Sequence, residues 1–247
     1  MISTIEELSM NAWPSLITNL YDGWVLRFSN GYTKRANSIN PIYPSTINVD
    51  TKIQMCENIY FNKRLPIVYK ITRESCPSDI DSTLETKGYK KQDETSVRIL
   101  SFNDLKKVSN VKGIKSESDF TEEWIESFIV CSNIIEKLTI DTMRKMLANI
   151  TGEKICTNVI VNNEIVACGF GVIENNFLGI FDIIVKNDKR GLGYGKDIMQ
   201  AILREAQKRN VEGAYLQVVV GNEIAENLYS KLGFKEVYKY WYRVKTI

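Results

Sequence analysis

The sequence predicts an α/β protein built on a mixed sheet. Three observations predict it. Strand-type runs alternate with amphipathic helical patterns along the chain. One strand runs through a glycine-rich loop directly into a helix, the order of a βα unit. A helix–glycine–strand pattern also recurs at an offset of 145 residues, so that Leu84–Ile99 lines up with Tyr229–Val244. There Gly88 meets Gly233, Tyr89 meets Phe234 and Arg98 meets Arg243. Such an offset predicts two copies of one α/β unit, of which only the second carries the glycine loop.

The elements follow in order. Gly23–Ser29 has strand composition, and Asn30–Gly31 is a hairpin turn signal with a second strand expected after it. A helix is expected from about Asp50, with Ile53, Met55, Cys56, Ile59 and Tyr60 as its apolar stripe. Pro66–Thr72 reads as a strand with its proline at the first position, where a missing N–H does least harm. A capped helix ends at Gly88, and Ser96–Phe102 is a strand. Asn103–Gly113 is polar and turn-rich, which places a domain boundary at 112/113, with domains 1–112 and 113–247. Two amphipathic helices come next, over Thr121–Cys131 and Thr139–Ile150. Strands follow over Lys154–Val161, Ile165–Ile173 and Phe177–Val185. The loop Lys186–Gly195 leads to a helix with Ile198, Met199, Ile202, Leu203 and Ala206 at helical spacing. Ala214–Val220 is a buried-type strand, Asn222 to Gly233 a helix with its N-cap and C′ residues, and Phe234–Val244 an aromatic last strand.

Composition excludes several functions. The chain has 247 residues, a net charge of +2 and no histidine. The charge gives no electrostatic case for nucleic acid. The absence of histidine removes Ser-His-Asp triads, Cys-His dyads and histidine metal sites. The five cysteines include no C-x-x-C pair, which reads as free thiols and no metal site. No apolar run approaches a membrane span, and the first residues lack the basic and apolar regions of a signal peptide. The expectation is a cytoplasmic protein with no membrane partner.

Residues 188–197, DKRGLGYGKD, put three glycines and three cations between a strand and a helix. A helix N-terminus offers unpaired N–H groups and the positive end of its dipole, and glycines let an anion approach the backbone. The loop therefore reads as a phosphate or pyrophosphate site, or as a tight turn with solvated cations. The P-loop pattern fails because Gly195–Lys196 is followed by Asp197. The dinucleotide pattern fails because Lys196 stands where the third glycine belongs. What fits is R-x-x-G-x-G, with Arg190, Gly193 and Gly195. At 100° per residue Asn222, Ala225 and Tyr229 form one stripe of the next helix, beside a core face of Ile224, Leu228 and Leu232. Tyr229 is either a packing tyrosine or a proton donor.

These two segments resemble the GNAT (Gcn5-related N-acetyltransferase) family. R-x-x-G-x-G opening a helix is similar to its acetyl-CoA loop, and Asn222–Phe234 to its N-x-x-A-x-x-L-Y-x-x-x-G-F element. The resemblance covers about Ile114 to Val244, and the first half resembles the degenerate GNAT unit of a two-domain subgroup. It implies the acyl-CoA N-acyltransferase fold in pseudo-tandem. It also implies an acetyl-CoA-dependent enzyme acylating a primary amine, either a small molecule or a protein amino group. A non-catalytic acyl-CoA sensor is the alternative.

The resemblance further implies a site. The pyrophosphate is expected on Arg190, Gly191, Leu192, Gly193, Tyr194, Gly195 and Lys196, and the pantetheine arm beside Ile183, Ile184 and Val185. Asn222, Ala225 and Tyr229 complete the cofactor site, with Tyr229 protonating the departing thiolate. Asp182, an acid inside an apolar strand, is the candidate base. Strict alternation would put it with Ile184, opposite Phe181, Ile183 and Val185. Trp13, Trp24, Arg27 and Arg35, and the aromatic tail Tyr238–Arg243, are structural residues or shapers of substrate access.

Overall fold

The structure is a computed structural model that describes residues 1–105 and 113–246. Two compact units emerge, Met1–Ser96 with Tyr238–Ile247, and Val97–Val237. Most of the stretch in which the boundary is expected, residues 106–112, lies outside the described residues.

In the first unit, α1 (Ile2–Ala12) precedes β1 (Ile17–Tyr21), β2 (Trp24–Phe28) and β3 (Ile39–Pro41). Then come α2 (Val49–Asn62), β4 (Ile67–Thr72), α3 (Ile80–Thr86) and the start of β5 (Lys90–Ser101). Its strands lie in the order β1-β2-β3-β4-β11, where β11 is Lys235–Lys245. The β3–β4 pair is parallel, and β1–β2, β2–β3 and β4–β11 are antiparallel.

Two local expectations are corrected here. The tight hairpin turns at Asp22–Gly23, not at Asn30–Gly31. Asn30 and Gly31 do take the left-handed turn conformation, but a helical turn over Lys34–Ala36 follows in place of a strand. The close approach of the backbone explains the choice, because a Cβ on Gly23 would lie 2.2 Å from the Pro44 carbonyl oxygen. In α2 the buried stripe is Lys52, Ile53, Cys56 and Tyr60, while Met55 is exposed. Trp13, Trp24 and Arg27 are buried, and the Arg27 guanidinium donates to the carbonyls of Met10, Trp13 and Arg35. They are core residues. So is the tail, where Tyr238, Tyr240 and Tyr242 are buried.

In the second unit, β6 (Ile114–Glu117) precedes α4 (Glu122–Ser132) and α5 (Lys137–Ala148). The antiparallel strands β7 (Glu153–Val161), β8 (Glu164–Glu174) and β9 (Phe177–Val185) follow. Next are α6 (Tyr194–Gln207), β10 (Gly213–Val219), which pairs parallel with β9, and α7 (Glu223–Lys231). The strand order is β5-β10-β9-β8-β7-β6. The predicted stripe of α6 is its buried face, with Ile198, Met199, Ile202, Leu203 and Ala206 packed on Ile180, Leu216 and Val218 of the sheet. On the other face Trp124 and Phe128 of α4 pack near Phe170, which stacks on Phe181.

The predicted repeat is visible in both units. Helix α3, Gly88 and β5 match α7, Gly233 and β11, and both glycines have positive φ, 84° and 99°. β5 begins in the first unit and ends in the second, and β11 does the reverse.

Candidate functional site

The geometry of the second unit's cleft starts from one irregular residue. Asp182 takes φ of 47° inside β9, and there the register against β8 slips, from Phe170↔Phe181 to Cys168↔Ile184. Two residues, Asp182 and Ile183, thus face the single Gly169, which is a β-bulge. The extra residue breaks the alternation expected from the sequence. Phe181 stacks on the α4 side, whereas Ile183 and Val185 pack with the α6 cluster. A Cβ on Gly169 would lie 2.6 Å from the Ile183 side chain and 2.8 Å from Ile198, so glycine is what lets the bulge close.

The bulge also turns β9 away from β10. Their parallel register ends at Leu216↔Ile180, although β9 continues to Val185 against β8. The edge of Ile183–Val185 that would face β10 is therefore available to an extended ligand arm.

Beyond Val185 the chain makes one helical turn at Asn187–Lys189 and enters α6 through Gly193, the N-cap residue, with φ of 92°. The helix starts at Tyr194, inside the stretch Lys186–Gly195 expected as loop. No side chain caps it. The Gly193 carbonyl accepts from Lys196 and Asp197 N–H within the first turn. A Cβ on Gly191 or Gly193 would meet nothing within 4 Å, so their left-handed φ values, 79° and 92°, and not crowding, call for glycine. A Cβ on Gly195 would sit over Val185 and Leu228, in the floor of the cleft.

The opposite wall is α7. Asn222 caps it, its Oδ1 accepting from Ala225 N–H at 3.2 Å. Ala225, Leu228 and Tyr229 pack inward. Ile224 does not join the core face predicted for it: it is 87 % exposed and lines the cleft mouth. Tyr229 is half-buried, and burial, with the nearby Asp182 carboxylate adding to it, pushes its phenol up to about 12.

These walls enclose a cleft of about 540 Å³. It gathers Ile183, Ile184 and Val185 from β9, Arg190, Gly191, Gly193, Tyr194, Gly195 and Lys196 from the loop and α6, and Asn222, Ala225 and Tyr229 from α7. Two residues expected in the site stand outside its lining. They are Leu192, which is 63 % exposed, and Asp182, whose carboxylate lies within electrostatic reach of Tyr229. Of the loop's cations, Lys189 also lines the cleft and pairs with Asp188 at 3.3 Å, whereas Lys186 is held by Glu164 at 2.8 Å. Among the described residues no His/Cys/Asp/Glu cluster of metal-binding geometry occurs, and no helix is long and apolar enough to cross a membrane.

One supporting residue has no local sequence signal. Arg98 of β5 donates to the Ser230 hydroxyl at 2.9 Å, to the Glu226 carboxylate at 3.3 Å and to the Glu226 carbonyl at 3.4 Å. It grips α7 on both sides of Tyr229. More than 120 residues separate the partners, and only the repeat, which aligns Arg98 with Arg243, marks it.

Known proteins place this architecture. The family model described as "Probable histone acetyltransferase Rv0428c C-terminal" matches residues 1–243. A Bacillus subtilis protein described as "Uncharacterized N-acetyltransferase YobR" is 25 % identical over 248 residues, covering 99 % of this chain and 98 % of the relative. Among solved structures, a GCN5-related N-acetyltransferase from Kribbella flavida superposes with a TM-score of 0.72 at 12 % identity, covering 98 % of this chain and 95 % of that one. A tandem GNAT protein from the clavulanic acid biosynthesis pathway superposes with a TM-score of 0.69 at 10 % identity, over 98 % and 87 % of the two chains. With a family model matched over nearly its whole length and the glycine loop, bulged strand and tyrosine-bearing helix in one cleft, the chain belongs to the GNAT family of N-acetyltransferases.

Proposed function

We propose that the cleft of the second unit binds acetyl-CoA and that the enzyme transfers the acetyl group to a primary amine. The observation that carries this reading is the uncapped N-terminus of α6, entered through Gly193, beside the open edge of Ile183–Val185. An anion completes the first feature and an extended amide-bearing arm the second. Arg190 and Lys196 add charge to the anion end. When bound, acetyl-CoA supplies an activated acyl group as its thioester.

The chain's own residues then have distinct tasks. Backbone N–H groups of Ile183–Val185 hold the arm and offer a donor to the acyl oxygen. Tyr229 keeps its proton at neutral pH, because its pKa is about 12. A thiol titrates near 8.5, well below this raised phenol, so complete proton transfer from the phenol to a thiolate runs uphill. Tyr229 therefore donates a hydrogen bond to the departing sulfur, and the proton lost by the amine closes the balance. A lysine-like amine is only about 0.04 % neutral at pH 7, so deprotonation needs an acceptor. We assign that acceptor to Asp182, directly or through water, because its carboxylate lies within electrostatic reach of Tyr229.

Titration calorimetry with acetyl-CoA, with ATP and NAD as controls, tests the reading. Micromolar binding of acetyl-CoA alone is expected. Equal binding of ATP or NAD, or no binding of acetyl-CoA, refutes it. A screen of amines that follows free thiol release then identifies the acceptor.

A further inference from the structure

Helix α7 carries Tyr229 yet has no buried residue, whereas α6, the other helix of the cleft, has six. Ala225, Leu228 and Tyr229 pack on the core cluster only as partly buried residues. A helix with so few buried apolar contacts is held in place by its polar bonds. Several of those bonds meet at Glu226. Its Oε1 accepts from the Gly221 N–H at 3.0 Å, in the turn that enters the helix. Its Oε2 accepts from the Arg98 guanidinium of β5 at 3.3 Å. Its carbonyl accepts from the Ser230 hydroxyl at 2.8 Å, and the same hydroxyl accepts from Arg98 at 2.9 Å.

The repeat isolates what is particular to this residue. The 145-residue offset aligns Glu226 with Asp81, Ser230 with Glu85 and Arg98 with Arg243. In the first unit Asp81 turns both oxygens to β11, accepting from the Trp241 indole N–H at 2.7 Å and from Arg243 at 2.8 and 2.9 Å. Glu226 is one methylene longer and divides its oxygens between the strand arginine and a backbone N–H of its own helix entry. The bond to Gly221 thus occurs in the copy whose helix carries a cleft tyrosine. Helix α3 is anchored instead by its buried Ile80 and Leu84.

We propose that Glu226 is a positioning residue of the transfer step. Its carboxylate joins the entry turn of α7 to β5 and so sets where the Tyr229 phenol stands. The inference rests on the reading of Tyr229 as the hydrogen-bond donor to the departing sulfur. Glu226 and Tyr229 are three residues apart, neighbours on the helix surface, so a shift of one carries the other. A displacement of about 1 Å at a reacting group costs up to about a hundredfold in rate. The glycine loop and the edge of β9 lie on other elements and keep their own bonds. Loss of the carboxylate therefore acts on turnover more than on cofactor affinity.

The test uses the full chain and follows thiol release from acetyl-CoA, with n-butylamine as the acceptor and with water alone. The departing sulfur is the same for either acceptor. Acetyl-CoA affinity by calorimetry and amide hydrogen exchange over residues 219–229 complete the readouts. Glu226→Ala should lower kcat about tenfold and leave affinity within about twofold. Glu226→Gln keeps one acceptor oxygen for two donors, so its loss should be about threefold. The glutamine variant carries the test where the alanine variant does not fold. Because Glu226 acts through Tyr229, adding Glu226→Ala to Tyr229→Phe should lower kcat by less than about twofold. Exchange over 219–229 should speed up in Glu226→Ala, and less so in Glu226→Gln. Wild-type kcat in both Glu226 variants overturns the proposal. So does a loss that persists in full beside Tyr229→Phe, or a fall in affinity as large as the fall in kcat. Unchanged exchange overturns the hold on α7. The tyrosine reading fails separately. If Tyr229→Phe alone turns over like wild type, the route through Tyr229 falls with it, while the exchange rates still decide whether Glu226 holds the helix.

Discussion

The turn before α2 and the turn before α6 hold matching places in their units. Each follows a strand, β3 or β9, and leads through a helix to a parallel neighbour, β4 or β10. In the first unit the helix start is satisfied from within. Asn48 caps α2, accepting from Asp50 and Thr51 N–H at 3.0 and 3.3 Å. The Asp22 carboxylate accepts from the N–H groups of Thr46 and Ile47 at 3.0 and 2.9 Å and from the Thr46 hydroxyl. In the second unit glycine stands at the N-cap and no side chain caps the helix. The helix start is thus satisfied by the protein's own oxygens in the first unit and, on the proposed reading, by a ligand's in the second. On that reading a pair of side chains, Asn48 and Asp22, separates the two units at this point.

The largest expected effect comes from closing the open copy. Gly193→Asp places a carboxylate at the start of α6, where the first unit has the side-chain oxygens of Asn48 and Asp22. Like charge against a pyrophosphate costs about 4 kcal/mol, roughly a thousandfold in affinity for acetyl-CoA by calorimetry. Unchanged affinity would remove the loop from the site. Tyr229→Phe ranks next. It removes the hydrogen bond to the departing sulfur and should lower kcat about a hundredfold with little change in KM. Because burial pushes the Tyr229 phenol up to about 12, any alkaline limb of the wild-type rate below pH 10 should survive in the variant. Loss of that limb would mean that Tyr229 itself titrates there.

The two arginines sharpen the comparison further. Arg243 of β11 reaches back to α3, bonding Asp81 at 2.8 and 2.9 Å and Glu85 at 3.1 Å. Arg98 of β5 does the same to α7. Both clamp a helix, but only α7 carries a cleft tyrosine. Arg98→Ala should lower kcat about tenfold and leave the acetyl-CoA affinity nearly intact, through a misplaced Tyr229. Arg243→Ala should cost about 2 kcal/mol of stability and leave kcat per folded molecule unchanged. Equal kinetic effects in the two variants would show that the arginines act on folding alone.

The glycine loop and the tyrosine helix were legible in the sequence because both are local: a strand, three glycines and a cap lie within a few residues of one another. The buried face of α6 follows from periodicity for the same reason. The bulge at Asp182 was not legible. Its cause is Gly169, a residue of the neighbouring strand, and periodicity within β9 carries no trace of it. Ile224 misled because an apolar residue in the first turn of a helix fits the core stripe by angle yet overhangs the cleft. The Asn30–Gly31 signal misled because it marks a turn conformation and not the strand pairing across it. The role of Arg98 depends on tertiary placement alone.

The smallest effect on the reaction, and the most direct test of the closed copy, is Asp22→Asn. Asp22 has φ of 43°, which asparagine tolerates, so the exchange removes the charge and spares the turn. Lys52, 0 % exposed, donates to the Asp22 carbonyl and, at 3.1 Å, to its carboxylate, and would keep only neutral partners. The Ile47 and Thr46 N–H bonds hold the Asp22 pKa well below the usual carboxylate range. A depressed folded-state pKa gives stability that is present above the unfolded value, near 4, and is lost as pH falls through the folded value. The melting temperature of Asp22→Asn should therefore lie below wild type at pH 7, and the gap should narrow as pH falls below 4. Acetyl-CoA affinity at pH 7 should not change, because the open copy keeps its own loop. A gap that widens in acid would show that the carboxylate is not what closes the first unit's turn.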